Sequence, residues 1–289
     1  MSAEPAPPAT SAIAAGQAPQ AHLLNFFGGY VLGREAGDRG VSTWTLIEVC
    51  RRVGIGEHAV RSTLNRMVGK GLLRRERTGR TTVYRLTPRS AAVLRDGARR
   101  IWEVGAVRAE GEGAGWTLLA FTLPAPAQRE RHQLRSRLMW AGFGLLQAGL
   151  WIAPAPADVG ALIGDPVLAP HLRIFDAIPH PPTDLPVLSR KIWDLGAVDE
   201  RYREFITCWA DVGPGKTQWG RLPGGPLELQ LLLVGEWLGL LSADPRLPAD
   251  CLPDDWPAAA AERIFRRACE LLSSSATDVA EELIAAGRV

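Results

Sequence analysis

The sequence predicts an α+β chain of several domains. The order is an N-terminal winged helix-turn-helix, a central ferredoxin-like α+β domain and a C-terminal helical domain. Three observations carry that prediction. Residues 54–86 read as a turn, an amphipathic helix and a basic hairpin; residues 116–178 alternate short β-forming runs with helical periodicity; residues 185–286 hold long apolar patterns of helical spacing. A chain of 289 residues is also longer than one ordinary domain.

Residues 1–21 are mostly Ala and Pro and read as a disordered tail; no basic stretch precedes an apolar one, so they do not form a secretory signal. Residues 22–34 repeat apolar side chains every three or four positions and give a first helix, ended by Gly37-Asp38-Arg39-Gly40. Ser42 and Thr43 offer an N-cap to a second helix over 41–53, and Gly54 supplies the small residue that a helix-turn-helix corner needs. In the next helix, over 56–70, Val60, Leu64, Met67 and Val68 share the inward face, while His58, Arg61, Ser62 and Asn65 share the opposite one. Two β-like runs, 72–77 and 82–86, follow across the turn Thr78-Gly79-Arg80-Thr81. Thr87-Pro88 caps and starts a connector helix over 89–103, and glycines 105, 111, 113 and 115 mark the boundary.

The central domain is read as a buried strand at 116–123 and an amphipathic helix at 128–140 with Leu134, Leu138 and Met139 inward. A hairpin or bent strand pair at 141–154, a short helix at 157–163 and one or two strands within 167–178 complete it. Pro179-His180-Pro181-Pro182 closes it as a stiff linker. Beyond it come one long helix over 185–210, a loop at 213–225, an apolar helix over 226–241, a Pro-rich connector, and helices over 256–272 and 275–286. The domain boundaries are therefore 22–104, 115–178 and 185–286.

Charge separates the first module from the rest. Residues 51–108 carry 15 basic and 4 acidic side chains, a net of +11, whereas the remainder carries 18 and 27, a net of −9. A basic module on an acidic body points to a polyanion partner, double-stranded DNA, for the first part only. On the second helix's start, Ser42, Thr43 and Thr45 are placed to offer backbone N–H groups to phosphate. On the next helix, His58, Arg61, Ser62, Asn65 and Arg66 have the donors and acceptors that read base edges. On the hairpin, Arg77, Arg80 and Thr81 are candidates for phosphate or the minor groove.

Enzyme chemistry finds no support: there is no nucleophile elbow, P-loop, dinucleotide fingerprint or HExxH string, so no catalytic and no metal residues are assigned. Cys50, Cys208, Cys251 and Cys269 have no CxxC or metal-ligand spacing and are expected as free thiols of a cytoplasmic protein. The apolar run 229–241 is interrupted by Gln230 and Glu236 and is shorter than a membrane span, so no membrane partner is expected. Trp116, Trp140, Trp151 and Trp193 sit on core patterns, while Trp219 and Trp237 are candidates for stacking on a ligand.

Several separate strings, in order, resemble the PaaX-like transcriptional regulators, the family of phenylacetic-acid-degradation repressors. They are residues 23–30, the Val60-Arg61 step with Leu64 and Arg66, Gly71-Leu72-Leu73, and Gly79-Arg80 leading to Tyr84-Arg85-Leu86-Thr87. Further on come LRSRLMWAGF at 134–143, Gly149-Leu150-Trp151-Ile152-Ala153-Pro154, Trp193-Asp194-Leu195 with Tyr202 and Phe205, Asp244-Pro245, and Leu252-Pro253-Asp254-Asp255-Trp256-Pro257. The resemblance implies a homodimeric repressor on a palindromic operator of an aromatic-catabolic operon, released by an aryl-acetyl or other acyl-CoA thioester. It also implies a central domain similar in fold to the small nuclease of CRISPR spacer acquisition.

One string departs from the family pattern: Gly235-Glu236-Trp237-Leu238 stands where many members have a His-Glu-Tyr-Arg-like sequence. The expected effector is therefore an acyl-CoA related to phenylacetyl-CoA. Arg135, Arg137 and Arg190 are candidates for its phosphates, and Trp193 and Trp237 for its apolar end. Two alternatives stand beside this reading: a metal-dependent nuclease built on the central domain, and a DNA-binding protein with no effector. The strand at 116–123 contains no carboxylate to hold a metal, which weighs against the nuclease.

Overall fold

The computed structural model describes residues 18–104, 115–123, 127–155, 157, 159–163, 168–212 and 224–287. Most of the expected N-terminal tail, the glycine-rich boundary at 105–114 and all but the end of the 213–225 loop, with Trp219, lie outside the described residues. The chain forms two compact units. The first comprises residues 1–103, 205–238 and 263–289, and the second residues 104–204 and 239–262.

In the first unit, helix α1 (Pro19–Tyr30) is followed by a short helix α2 (Glu35–Arg39), in the stretch where the sequence suggested only a break. Strand β1 (Val41–Ser42) leads into α3 (Thr43–Arg52), and α4 (Glu57–Gly69) follows across Val53–Gly56, with Gly54 at a positive φ of 81°. Strands β2 (Leu73–Thr78) and β3 (Thr81–Leu86) then form an antiparallel hairpin, and β1 adds to its β3 side, giving the order β1-β3-β2. The two-residue connection is Gly79-Arg80, and Gly79 takes φ 61°, the region that a tight hairpin demands of its first turn residue. The core is apolar as the periodicity required: Leu23, Phe26, Phe27, Leu46, Val49, Val60, Leu64 and Met67 are sealed from water, and Val68 is half-buried.

Helix α5 (Pro88–Arg99) starts where the Thr-Pro pair suggested. The Thr87 hydroxyl accepts from Ser90 N at 3.3 Å and donates to Gly71 O at 2.8 Å, and Ser90 Oγ donates to Leu72 O at 2.6 Å. The connector then loosens into a π-helical turn, Arg100–Val104.

The second unit carries the strand-helix-strand-strand-helix-strand chain expected of the centre. Its elements are β4 (Trp116–Phe121), α6 (Gln128–Trp140), β5 (Gly144–Gln147), β6 (Leu150–Pro154), α7 (Gly160–Ile163) and β7 (Leu172–Ala177). The sheet order is β5-β6-β4-β7 with every neighbour antiparallel, the arrangement of a split βαβ pair. Leu134, Leu138, Trp151 and Leu172 lie in the core on one face of that sheet; Trp116, Ile152 and Leu195 lie in the cluster on the other. Met139 is 55% exposed and Trp140 38%, so the inward face of α6 is narrower than the sequence suggested. Helix periodicity places Leu134 and Leu138 together but rotates their neighbours outward.

The remaining helices differ most from the sequence reading. The single helix expected over 185–210 is two, α8 (Leu185–Ile192) and α9 (Leu195–Trp209), because Trp193 is extended (φ −115°, ψ 138°) and Asp194 caps the new start through Ala197 N at 3.1 Å. The two helices expected over 256–286 are instead one, α11 (Ala258–Ala286), running unbroken through three consecutive serines. Helix α10 (Pro226–Ala243) is apolar nearly all round since Leu227, Leu229, Leu231, Leu232 and Leu233 are all buried.

Candidate nucleic-acid interface

The exposed face of α4 is set by its buried one. With Val60, Thr63, Leu64 and Met67 turned inward, helical geometry leaves His58, Arg61, Ser62, Asn65 and Arg66 facing water, and all five are exposed. Arg61 is held upright by Glu57, Nε to Oε1 at 2.8 Å one turn away, and Arg66 Nη2 donates to Thr63 Oγ1 at 3.0 Å. Both guanidiniums are thereby oriented from the backbone they leave, which lowers the entropy lost when they take a partner.

The hairpin adds a second basic surface. Arg74, Arg75, Arg77 and Arg80 are exposed, Thr81 is half-buried, and Arg77 Nε donates to Gly79 O at 3.3 Å. Arg85 is neutralised across the strands by Glu76 at 2.8 Å. Arg74 and Arg75 were not singled out in the sequence, although the Arg-Arg pair is visible there. Another exposed side chain in this unit is Trp44 on the first turn of α3, 50% open to solvent.

The start of α3 is arranged differently from the expectation. Ser42 is 6% exposed and its Oγ accepts from Thr45 N at 3.0 Å, so that N–H is already consumed. Thr45 Oγ1 donates to Leu283 O at 3.1 Å, and Gly287 packs so closely on the Ser42 and Thr45 hydroxyls that a Cβ there would collide with them. The end of α11 therefore covers Ser42. Thr43 is half-buried and donates to Thr82 O at 3.2 Å, tying the helix start to the hairpin. Nothing local in the sequence signals this cover, which arrives from more than 200 residues away.

Further polar contacts join the module to later helices of the same unit. Arg52 Nη1 meets Glu228 Oε1 at 3.2 Å and its Nε meets Glu48 Oε1 at 3.3 Å. Hydrogen bonding from Arg51 holds the Glu48 carboxyl below the usual range. Arg34 pairs with Glu281 at 3.5 Å.

The ligand candidates scatter. Trp237 is fully buried, stacked on Phe265 with centroids 4.7 Å apart and planes 11° from parallel. Its neighbour Glu236 accepts from Trp209 Nε1 at 2.5 Å. The string that departs from the family pattern is therefore built into the aromatic core of the first unit, so Trp237 offers no surface to a ligand. Arg135 is exposed and Arg137 half-buried on α6. Arg190 and Trp193, by contrast, line one cavity of about 500 Å3 in the second unit.

At the end of β4, where a metal-dependent nuclease of this fold would need a carboxylate, a smaller cavity of about 250 Å3 is lined by Phe121, Thr122, His171 and Arg173 with no acid. Among the described residues no group of three or more His, Cys, Asp or Glu side chains could hold a metal ion. Cys50, Cys251 and Cys269 are buried free thiols, and burial pushes the Cys50 thiol up to about 12, out of the range of easy oxidation.

Known proteins resemble this chain along most of its length. Three family models match in order: the PaaX-like protein model over residues 23–90, the PaaX protein central Cas2-like domain over 110–185, and the PaaX-like protein C-terminal domain over 193–282. The transcriptional repressor PaaX of Escherichia coli (strain K12) is 26% identical over 241 residues, covering 80% of this chain and 75% of the repressor. A solved structure of an uncharacterized protein from Mycobacterium tuberculosis superposes with a TM-score of 0.52 at 25% identity, over 88% of this chain and 94% of that one. With all three parts of one family matched in chain order, this protein belongs to the PaaX-like family.

Proposed function

We propose that this protein is a DNA-binding transcriptional repressor whose N-terminal module is a winged helix-turn-helix. One observation carries the reading: His58, Arg61, Ser62, Asn65 and Arg66 share the exposed face of α4, and a hairpin bearing Arg74, Arg75, Arg77 and Arg80 follows it. The major groove admits a helix, and side chains of these types hydrogen-bond base edges there, while hairpin arginines neutralise phosphate. The naming of the Escherichia coli relative as a transcriptional repressor supports the same conclusion.

The finer parts of the proposal rest on the resemblance to the PaaX-like regulators. One such module buries too little surface for tight selective binding, so the protein acts as a homodimer on a palindromic operator with half-sites about 10–20 bp apart. The operon is one of aromatic catabolism, the effector an aryl-acetyl or other acyl-CoA thioester, and the compartment the cytoplasm. A ligand releases DNA only if it favours one state of the protein over the other. Catalysis has no part in the proposal.

The test is a mobility-shift titration with duplexes tiled across the promoter of the protein's own gene cluster, followed by addition of aryl- and alkyl-CoA thioesters. A single protected palindrome and release by a thioester are expected. Equal affinity for every duplex overturns the repressor reading, whereas selective binding that no thioester reverses overturns only the effector.

A further inference from the structure

The cavity in the second unit is built where the helix expected over 185–210 breaks. Arg190 comes from the last turn of α8, Trp193 from the extended junction, and Asp194, Leu195 and Gly196 from the start of α9. Its volume of about 500 Å3 falls within the roughly 300–1,000 Å3 of small-molecule sites.

The charges around it are mostly spent on each other. Arg203 donates two bonds to Asp199, at 2.8 and 3.1 Å, and a third to Asp255 at 2.6 Å. Asp194 caps α9 through Ala197 N. Among the described residues lining the cavity, Arg190 is the cation left with no hydrogen bond or ion pair to another side chain.

Trp193 is a fixed wall rather than a mobile one. Its indole lies 6.2 Å from that of Trp116, and Gly144 on β5 passes so close beneath that a Cβ there would strike the Ile192 and Trp193 side chains. A rigid aromatic surface beside an unspent guanidinium suits a ligand with a flat apolar body and one planar anionic group. The lining as a whole sets two arginines against three aspartates. With Arg203 held by Asp199 and Asp255, one unspent guanidinium remains, which matches a single carboxylate and leaves further phosphates without a partner.

We propose that this cavity binds an aromatic monocarboxylate, its carboxylate paired with Arg190 and its ring against Trp193. This goes beyond the DNA-binding reading and does not depend on it: the acid is a second ligand, distinct from any CoA thioester.

The test is isothermal titration of the full-length protein with benzoate and indole-3-acetate, with benzamide and acetate as the uncharged and ringless controls, and with CoA as the polyanion. Both aromatic acids are expected to bind at least tenfold more tightly than either control. Arg190→Gln should weaken them at least tenfold, and the adjacent Lys191→Gln should leave them unchanged. Trp193→Phe, which keeps an aromatic wall, should weaken indole-3-acetate more than benzoate while leaving the circular dichroism spectrum intact. Binding that Arg190→Gln does not alter, absence of binding by both acids, or CoA competing for the site each overturns the proposal. Loss of DNA selectivity in the mobility-shift experiment bears on the repressor reading and leaves this result untouched.

Discussion

Two antiparallel hairpins, one in each compact unit, differ in what their strands expose. In β2–β3, Leu73 is the buried residue of its strand, while Arg74, Arg75 and Arg77 face water and the β2 edge is unpaired. In β5–β6, Trp151, Ile152, Ala153 and Pro154 are all buried, because both faces of the central sheet are covered by apolar side chains. An edge dressed in arginine resists pairing with another strand and stays available to a polyanion. A strand such as β6, buried on both faces, is scaffold. The first unit thus carries the exposed basic hairpin that the proposed DNA contact uses, and the second carries the cavity at the α8–α9 junction.

Ionic strength should separate the two roles most widely. If the α4 face and hairpin of the first unit engage several phosphates, raising salt from about 50 to 200 mM should lower DNA affinity about a thousandfold or more. Fluorescence anisotropy with a labelled duplex gives the slope; a flat one would remove the first hairpin from the interface. Next in size is Trp237→Ala, which opens a void in the aromatic core of the first unit and should cost about 3–5 kcal/mol in urea unfolding. Trp193→Phe at the rim of the second unit's cavity should cost less than about 1.5 kcal/mol. Comparable losses from both would mean that Trp193 is core and not a ligand wall.

Within the first unit, Arg61→Ala should cost roughly 1–3 kcal/mol on the preferred duplex and blunt its preference, whereas Arg77→Ala should weaken every duplex alike. Competition with random DNA distinguishes them, and identical profiles would dissolve the division between α4 and hairpin.

The smallest effect is in pH, and its sign differs between the units. Glu48, lowered chiefly by the Arg51 hydrogen bond, contributes stability that is present above its unfolded value and lost as pH falls through the folded one. Asp244, raised by burial although it accepts from Tyr202 Oη at 2.8 Å, contributes stability that is present below its unfolded value and lost as pH rises through the folded one. Acidification should therefore weaken the α3 corner and, by protonating Asp244, relieve the cost of burying its charge in the second unit. Thermal unfolding of Glu48→Gln and Asp244→Asn across the acid range checks this: each variant should flatten its own dependence, in opposite directions.

The sequence by itself determined the elements whose signal is local. Apolar spacing located α4 and its buried Val60, Leu64 and Met67, Gly79 located the turn, Thr87-Pro88 located the start of α5, and the β-rich runs located the central strands in the right order. The arginines of α4 and the hairpin were legible because charge needs no partner to be counted.

Only the tertiary structure decided that Ser42 is covered by the end of α11, that Trp237 is core, that the 185–210 pattern breaks at Trp193, and that α11 continues through three serines. Three of these involve a partner far along the chain: Leu283 for Thr45, Phe265 for Trp237, Gly144 for Trp193. Periodicity reports that a face is apolar, but burial is a property of what packs against it, and that information is not local.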